Sequence, residues 1–307
     1  MTTTSVRVSG DVRPSKALHL GLWVVQGLLG ALFLAAARTA SSGRRGTVAA
    51  TLLVLLVLSA QVGAQDEADL AKKTQNPVAD LISVPFENNI NFGVGPRDRA
   101  QYVLYIQPVI PFGLTDEWNL ISRTVAPVIY QPRLAPGVGD TFGLGDIQLS
   151  LFLSPAKPGA LIWGVGPILQ FPTATDDVLG QGKWGASPTV AALTIQGPWV
   201  VGALINNVWS FAGDEDRKAV NQMLLQPIVN YNLPGGWYVN SVPYITADWK
   251  ARESDRWTVP IGAGVGKIVR IGALPLDMNL GAYYNIVRPD NGAEWQLRAR
   301  VNFLFPR

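Results

Sequence analysis

From residue 81 onward the chain alternates apolar and polar residues with a period of two, in segments longer than ordinary globular strands. The last segment shows the pattern plainly. Trp295, Leu297, Ala299, Val301, Phe303 and Phe305 alternate with Gln296, Arg298, Arg300, Asn302 and Leu304, which gives a strand one apolar and one largely polar face. Twelve such segments are read, at 81–94, 101–112, 117–130, 143–153, 160–171, 186–196, 198–211, 219–233, 236–249, 256–270, 275–288 and 294–305. Strands of globular proteins cluster at about 5 to 6 residues, whereas a tilted strand needs about 9 to 11 to cross a bilayer. Most segments here meet the second requirement, and no apolar run after residue 80 is long enough for a membrane helix.

The connections alternate too. After every second segment comes a compact turn rich in Gly or Pro: GLTDE, SPAKPGA, QGP, LPGG and GALP. The remaining connections, GPRDRA, QPRLAPGVGDT, TATDDVLGQGKWG, AGDEDRKA, KARESDR and RPDNGAE, are mostly longer or charged. Short turns at one end, longer loops at the other and an even strand number describe an outer-membrane barrel. The fold expected is therefore all-β, an antiparallel transmembrane β-barrel of about twelve strands, with both strand termini in the periplasm.

Aromatic spacing is a separate indication. Trp118 and Tyr130, Trp237 and Trp249, and Trp295 and Phe305 each share a face of one strand, ten or twelve residues apart. At about 3.3 Å per residue and about 45° of tilt, each pair spans roughly 23 to 28 Å, the height of an apolar band between two aromatic girdles. A soluble sandwich places tryptophans so only by coincidence.

Ahead of the barrel lie two apolar blocks, residues 17–36 and 47–60. The second follows Arg44 and Arg45 and precedes Val62-Gly63-Ala64, the layout of a secretory signal, so cleavage is expected after Ala64. The first is long enough to cross a bilayer. Through LGLWVVQGLLGALFLAAA it resembles the opening helix of the DoxX family of small membrane proteins. The organisation expected is an apolar helix over 1–40, either an inner-membrane helix or the product of a misassigned start or a fusion, then a signal peptide over 41–64, a periplasmic segment over 65–80 and the barrel over 81–307. For QDEADLAKKTQNPVAD (65–80) both a loose tail and a short plug remain open.

This division explains the charge. The chain has 25 Lys and Arg against 22 Asp and Glu, but six of the basic residues and only Asp11 of the acids precede residue 65. The remainder, with 19 basic and 21 acidic residues, gives no basis for nucleic-acid binding. There is no Cys, and the one histidine, His19, lies in the leader. The expected mature part therefore lacks thiol nucleophiles, Ser-His catalysis and Cys- or His-ligated metals. No cofactor, metal or catalytic residue is expected.

The polar faces give the candidate lumen: Glu87, Tyr105, Arg123, Asp146, Gln148, Gln226, Tyr238, Asp248, Asp277, Tyr283, Arg298 and Arg300, with further amides such as Asn89, Asn91, Gln107 and Asn230. Two outcomes stay open, a lumen that passes small solutes and a closed interior whose polar groups satisfy one another. The acidic tips Asp176-Asp177 and Asp214-Glu215-Asp216 read as solvated loops, without the ligand spacing of a calcium site. Gly262-Ala263-Gly264-Val265-Gly266-Lys267 falls inside a strand, so it is no phosphate loop.

The stretches NPVADLISVPFENNINFGVGP, GLGDIQLSLFLSP, WGVGPILQFPTATDDVLGQGKWGASP, GPWVVGALINNVWSFAGD and QPIVNYNLPGGWYV resemble the outer-membrane transporters grouped as the phenol-degradation MetA-pathway family, over about residues 70–307. The resemblance implies an outer-membrane barrel passing hydrophobic or aromatic compounds. It supplies no motif of functional residues. The function expected is a channel or transporter whose partners are membrane lipid and small solutes. A structural or loop-displaying barrel is the alternative, and an outer-membrane enzyme a more distant one. Oligomeric state is not legible.

Overall fold

The computed structural model describes residues 64–134 and 139–305. The apolar helix and signal peptide expected before Ala64 lie outside them. The elements are a helix α1 (Ala64–Thr74) and fifteen strands: β1 (Ile82–Val94), β2 (Arg99–Ile106), β3 (Val109–Gly113), β4 (Trp118–Gln131), β5 (Thr141–Leu144), β6 (Ile147–Pro155), β7 (Leu161–Phe171), β8 (Lys183–Gln196), β9 (Trp199–Gly213), β10 (Asn221–Asn232), β11 (Trp237–Ser241), β12 (Ile245–Asp248), β13 (Trp257–Ile271), β14 (Leu274–Val287) and β15 (Trp295–Phe305). Three crossings are each split in two, β2 with β3, β5 with β6 and β11 with β12, so fifteen strands make the twelve crossings that the period-two pattern predicts.

Every crossing is antiparallel to its neighbours, and the sheet closes on itself. β1 pairs with β15 from Ile82 opposite Phe305 to Phe92 opposite Trp295. β9 pairs with β10 from Trp199 opposite Tyr231 to Trp209 opposite Asn221. Closure removes the unpaired edges that hydrocarbon does not tolerate. The short links 114–117, 156–160, 197–198, 233–236 and 272–273 lie at the end holding Ile82 and Phe305, the periplasmic end of such barrels.

Residues on the outward phase carry the exposed apolar surface. In β9 Trp199, Val201, Ile205, Trp209 and Phe211 are exposed, whereas Val200, Leu204, Asn206 and Val208 are buried. Rings gather in two belts. Near the short turns Trp118 meets Trp163 at 6.0 Å and Trp199 meets Tyr231 at 4.7 Å. At the far end Phe171 meets Trp184, Trp249 meets Trp257 and Tyr284 meets Trp295, at 5.4, 5.4 and 4.8 Å. Their amphipathic bodies suit the two membrane interfaces. All six aromatic residues read from the sequence as girdle lie near strand ends. Asn88 departs from the alternation: it occupies the outward phase of β1 but is 1% exposed. Its amide donates to the Ala299 carbonyl at 3.2 Å and accepts from the Tyr102 hydroxyl at 2.7 Å, so the polar group is satisfied before it meets lipid.

The N-terminal segment is packed into the near mouth of the barrel. Leu70 and Ala71 of α1, with Ala79 and Leu81, cluster with the inward side chains Tyr238, Ile268 and Leu304. Val78 joins Ile121, Phe152, Ala191 and Leu204 on the other side of the lumen. The segment therefore touches both walls. Gly164 makes room for it, since a Cβ there would lie 2.7 Å from a Val78 methyl group.

Candidate functional site: the plugged lumen

Above the plug, a layer of paired charge lines the inner wall of β1, β14 and β15. It arises because the inward phases of β1, β14 and β15 bring Glu87 opposite Arg300 and Asn279 opposite Arg300 on its other side. Asp277, with no solvent exposure, accepts from Arg300 at 3.0 Å, from the Tyr238 hydroxyl at 2.6 Å and from Thr74 of α1 at 3.2 Å. Tyr238 lies over Gly266, where any side chain would collide with its ring.

The second pair is Arg298 with Glu87, 3.6 Å apart and both nearly solvent-free. The Arg298 guanidinium also donates to Asn89 Oδ1 at 3.3 Å, to the Val242 carbonyl at 2.8 Å and to Gln296 Oε1 at 2.8 Å. It lies 4.2 Å from the Tyr244 ring centre and 4.5 Å from that of Tyr283. Planar and always charged, a guanidinium accepts rings and carboxylate together where an ammonium does not. The Tyr244 hydroxyl donates to Glu87 at 3.2 Å.

Between this layer and the plug is a chamber of about 100 Å³, lined by residues 73–77 of the plug segment, by Glu87, Gln107, Arg123, Gln226, Asn230, Arg300 and Asn302, and by the apolar Val109, Ile228 and Val242 with Tyr244. Arg123 donates to Gln107 at 2.7 Å.

The residues predicted for the lumen fall into two groups. Glu87, Arg123, Gln226 and Arg300 line the chamber. Tyr238, Asp277, Tyr283 and Arg298 are buried around it, and Tyr105 stands opposite Glu87 across the β1–β2 pairing. Gln148 donates to Gln170 at 3.1 Å on the neighbouring strand. The two remaining acids serve the far rim. Asp146 accepts from the backbone N–H groups of Ala174 and Gln181, at 3.2 and 2.6 Å, and so fastens the loop 172–182. Asp248 accepts from the Lys250 N–H at 2.9 Å and shapes the following turn. In the loop after β4, the Arg133 N–H and the Tyr130 hydroxyl hold the Asp140 carboxyl below its ordinary range.

Sequence reasoning did not single out Tyr244 as a partner of Glu87 and Arg298, nor Thr74 as a tether. Tyr244 falls on the inward phase of the segment read at 236–249, but period two does not show which residues of distant strands it meets. Thr74 lies in a segment whose composition fits either a tail or a plug.

Residues 94–266, more than half of the chain, match the family described as the MetA-pathway of phenol degradation. The chain belongs to that family. No curated protein matches it. Among solved structures it is similar to an outer membrane channel from Pseudomonas putida F1, with 18% identity, a TM-score of 0.56, and coverage of 73% of this chain and 94% of that one. It also matches outer membrane phospholipase A from Escherichia coli, with 12% identity, a TM-score of 0.38 and coverage of 73% and 92%, and LpxR from Salmonella typhimurium, with 10% identity, a TM-score of 0.40 and coverage of 73% and 100%. The first likeness supports the barrel fold.

Proposed function

We propose that the chain is an outer-membrane conduit for small solutes with aromatic or otherwise apolar bodies, closed at rest by its own N-terminal segment. The observation that carries this reading is the chamber directly above the plug. Its polar groups are chiefly amides, with charges of both signs, and its remaining walls are aliphatic or aromatic, so a compact ring finds apolar contact there. The family's name refers to phenol degradation, and a barrel that admits aromatic compounds agrees with it. The membership of the family and the absence of histidine and cysteine after residue 64 favour transport over catalysis. Among the described residues no group of three or more His, Asp or Glu is placed to hold a metal ion.

Outer-membrane residence and export through a signal ending at Ala64 belong to the same proposal. The helix α1 begins at Ala64, so a cut there leaves the plug intact at the mature N-terminus. N-terminal sequencing of outer-membrane material should begin at Gln65. The transport reading is tested by swelling of proteoliposomes containing the full chain, with graded neutral and aromatic solutes. Correctly folded protein that admits none of them, with or without the plug, favours a structural barrel instead.

A further inference from the structure

Three crossings are interrupted, and two of the interruptions keep the wall bonded. At the first, the Gln107 N–H donates to the Pro85 carbonyl at 2.9 Å and the Thr124 N–H to the Pro108 carbonyl at 3.1 Å. At the second, the Gly145 N–H reaches the Pro127 carbonyl at 2.9 Å. The third, between β11 and β12, is different. Pairing with β10 stops at Ser241 opposite Val229 and resumes at Ile245 opposite Leu225. Pairing with β13 stops at Asn240 opposite Gly264 and resumes at Thr246 opposite Thr258. Residues 242–244 pair with neither neighbour.

The sequence explains the lapse. Continuing the two registers puts Pro227 opposite Pro243 and Pro260 opposite Tyr244, so three prolines without N–H donors meet at one spot. The backbone groups released there turn to the lumen. The Val242 N–H donates to the Tyr283 hydroxyl oxygen at 3.3 Å, and the Val242 carbonyl accepts from Arg298 at 2.8 Å. The Ser241 hydroxyl donates to the Gly262 carbonyl at 2.8 Å. Pro243, on the outward phase, is buried, consistent with a segment drawn inward from the wall. It sits midway between the girdle residues Trp237 and Trp249, at a depth where hydrocarbon solvates no polar backbone. Lumenal side chains hold the segment where a ladder would otherwise do so.

We propose that residues 242–244 form a lateral gate, through which a small aromatic solute in the chamber leaves between β10 and β13 into the hydrocarbon of the bilayer. Gln226, Ile228, Val242 and Tyr244 belong to both the chamber and the gap, so the path is short. The axial exit below is occupied by the plug. An apolar solute gains by passing directly from chamber to lipid, without crossing water. The proposal rests on the reading of the barrel as a conduit, and its test keeps the two apart.

The chain has no cysteine, so Pro227→Cys with Pro243→Cys introduces a single possible bridge across the gap. Intact cells producing the full chain are given N-phenyl-1-naphthylamine, whose fluorescence rises on entering the membrane, and the initial rate of the rise is measured. With the bridge formed, verified by mass, the initial rate should fall to that of cells lacking the protein, and reductant should restore it. A second variant, Pro227→Val with Pro243→Val and Pro260→Val, returns three N–H donors to the wall and should lose the uptake irrespective of reductant. Heat-modifiable gel migration reports folding of both. Uptake above background that neither the bridge nor the valines reduce overturns the gate and leaves the conduit standing. Wild-type uptake no greater than background overturns the conduit and the gate with it.

Discussion

The Thr74 hydroxyl and the Asp277 carboxylate lie 3.2 Å apart, tying the last residue of α1 to the inner wall across 203 residues of sequence. The tether adds little to what already holds Asp277, since Arg300 and Tyr238 bond the same carboxylate. The plug is therefore an addition to a barrel whose own charges are settled without it.

Deleting residues 65–80 should accordingly leave the barrel folded and open its near mouth. The β1–β15 closure begins at Ile82, beyond the deletion, and the lost contacts are mainly those of Leu70, Ala71, Val78 and Ala79. Proteoliposomes with the shortened chain should swell faster in small neutral solutes than those with the full chain, with unchanged heat-modifiable migration. Equal rates would mean that the plug does not set the resistance.

Arg300 is paired with Asp277 and does not stand free in the lumen. Asp277 is wholly buried, and removing one partner of a buried pair costs about 3 to 5 kcal/mol because the other charge stays behind. Arg300→Ala should lower the denaturant midpoint of unfolding in lipid vesicles, and adding Asp277→Asn should recover most of the loss. If the second substitution recovers nothing, the pair does not carry the penalty.

Crossing number, strand limits and the inward or outward side of most residues were legible because the membrane imposes period two on nearly every strand. What the sequence concealed depends on contacts across the lumen. Arg298 reads simply as inward, but that it lies between Tyr244 and Tyr283 follows from curvature, which sets strands far apart in the chain face to face. The plug was illegible for a similar reason: Val78 and Leu81 look like any short apolar pair until the ring of inward side chains around them is known. Asp146 and Asp248 read as lumenal because they fall in phase, and period two does not show that, at strand ends, their carboxylates also take loop backbone N–H groups.

On the outer face, Val301→Arg tests the membrane itself. Val301 packs with Leu276 and Phe303 on the outward phase, six residues from Trp295 and thus near mid-height. An arginine on the lipid face near the midplane costs about 2 to 4 kcal/mol, with overpacking against the two neighbours added. Assembly into the outer membrane, followed by the folded fraction in membrane extracts, should drop sharply. A folded fraction equal to wild type would place this face away from lipid.

Tyr283→Phe isolates the bond that holds the interrupted strand. The phenyl ring keeps its place beside Arg298, so the arginine loses no aromatic neighbour, and only the hydroxyl that accepts from the Val242 N–H is removed. A buried N–H left without a partner costs about 1 to 3 kcal/mol, and the stretch 242–244 has no ladder bond to compensate. Amide hydrogen exchange should therefore accelerate at Val242 and its immediate neighbours, while β14 and β15, whose pairing from Leu276 to Tyr284 is continuous, keep their protection. Exchange at Val242 that matches wild type would show that the Arg298 bond to its carbonyl suffices to hold the segment. Acceleration throughout β14 would instead show that the Tyr283 hydroxyl supports the barrel as a whole.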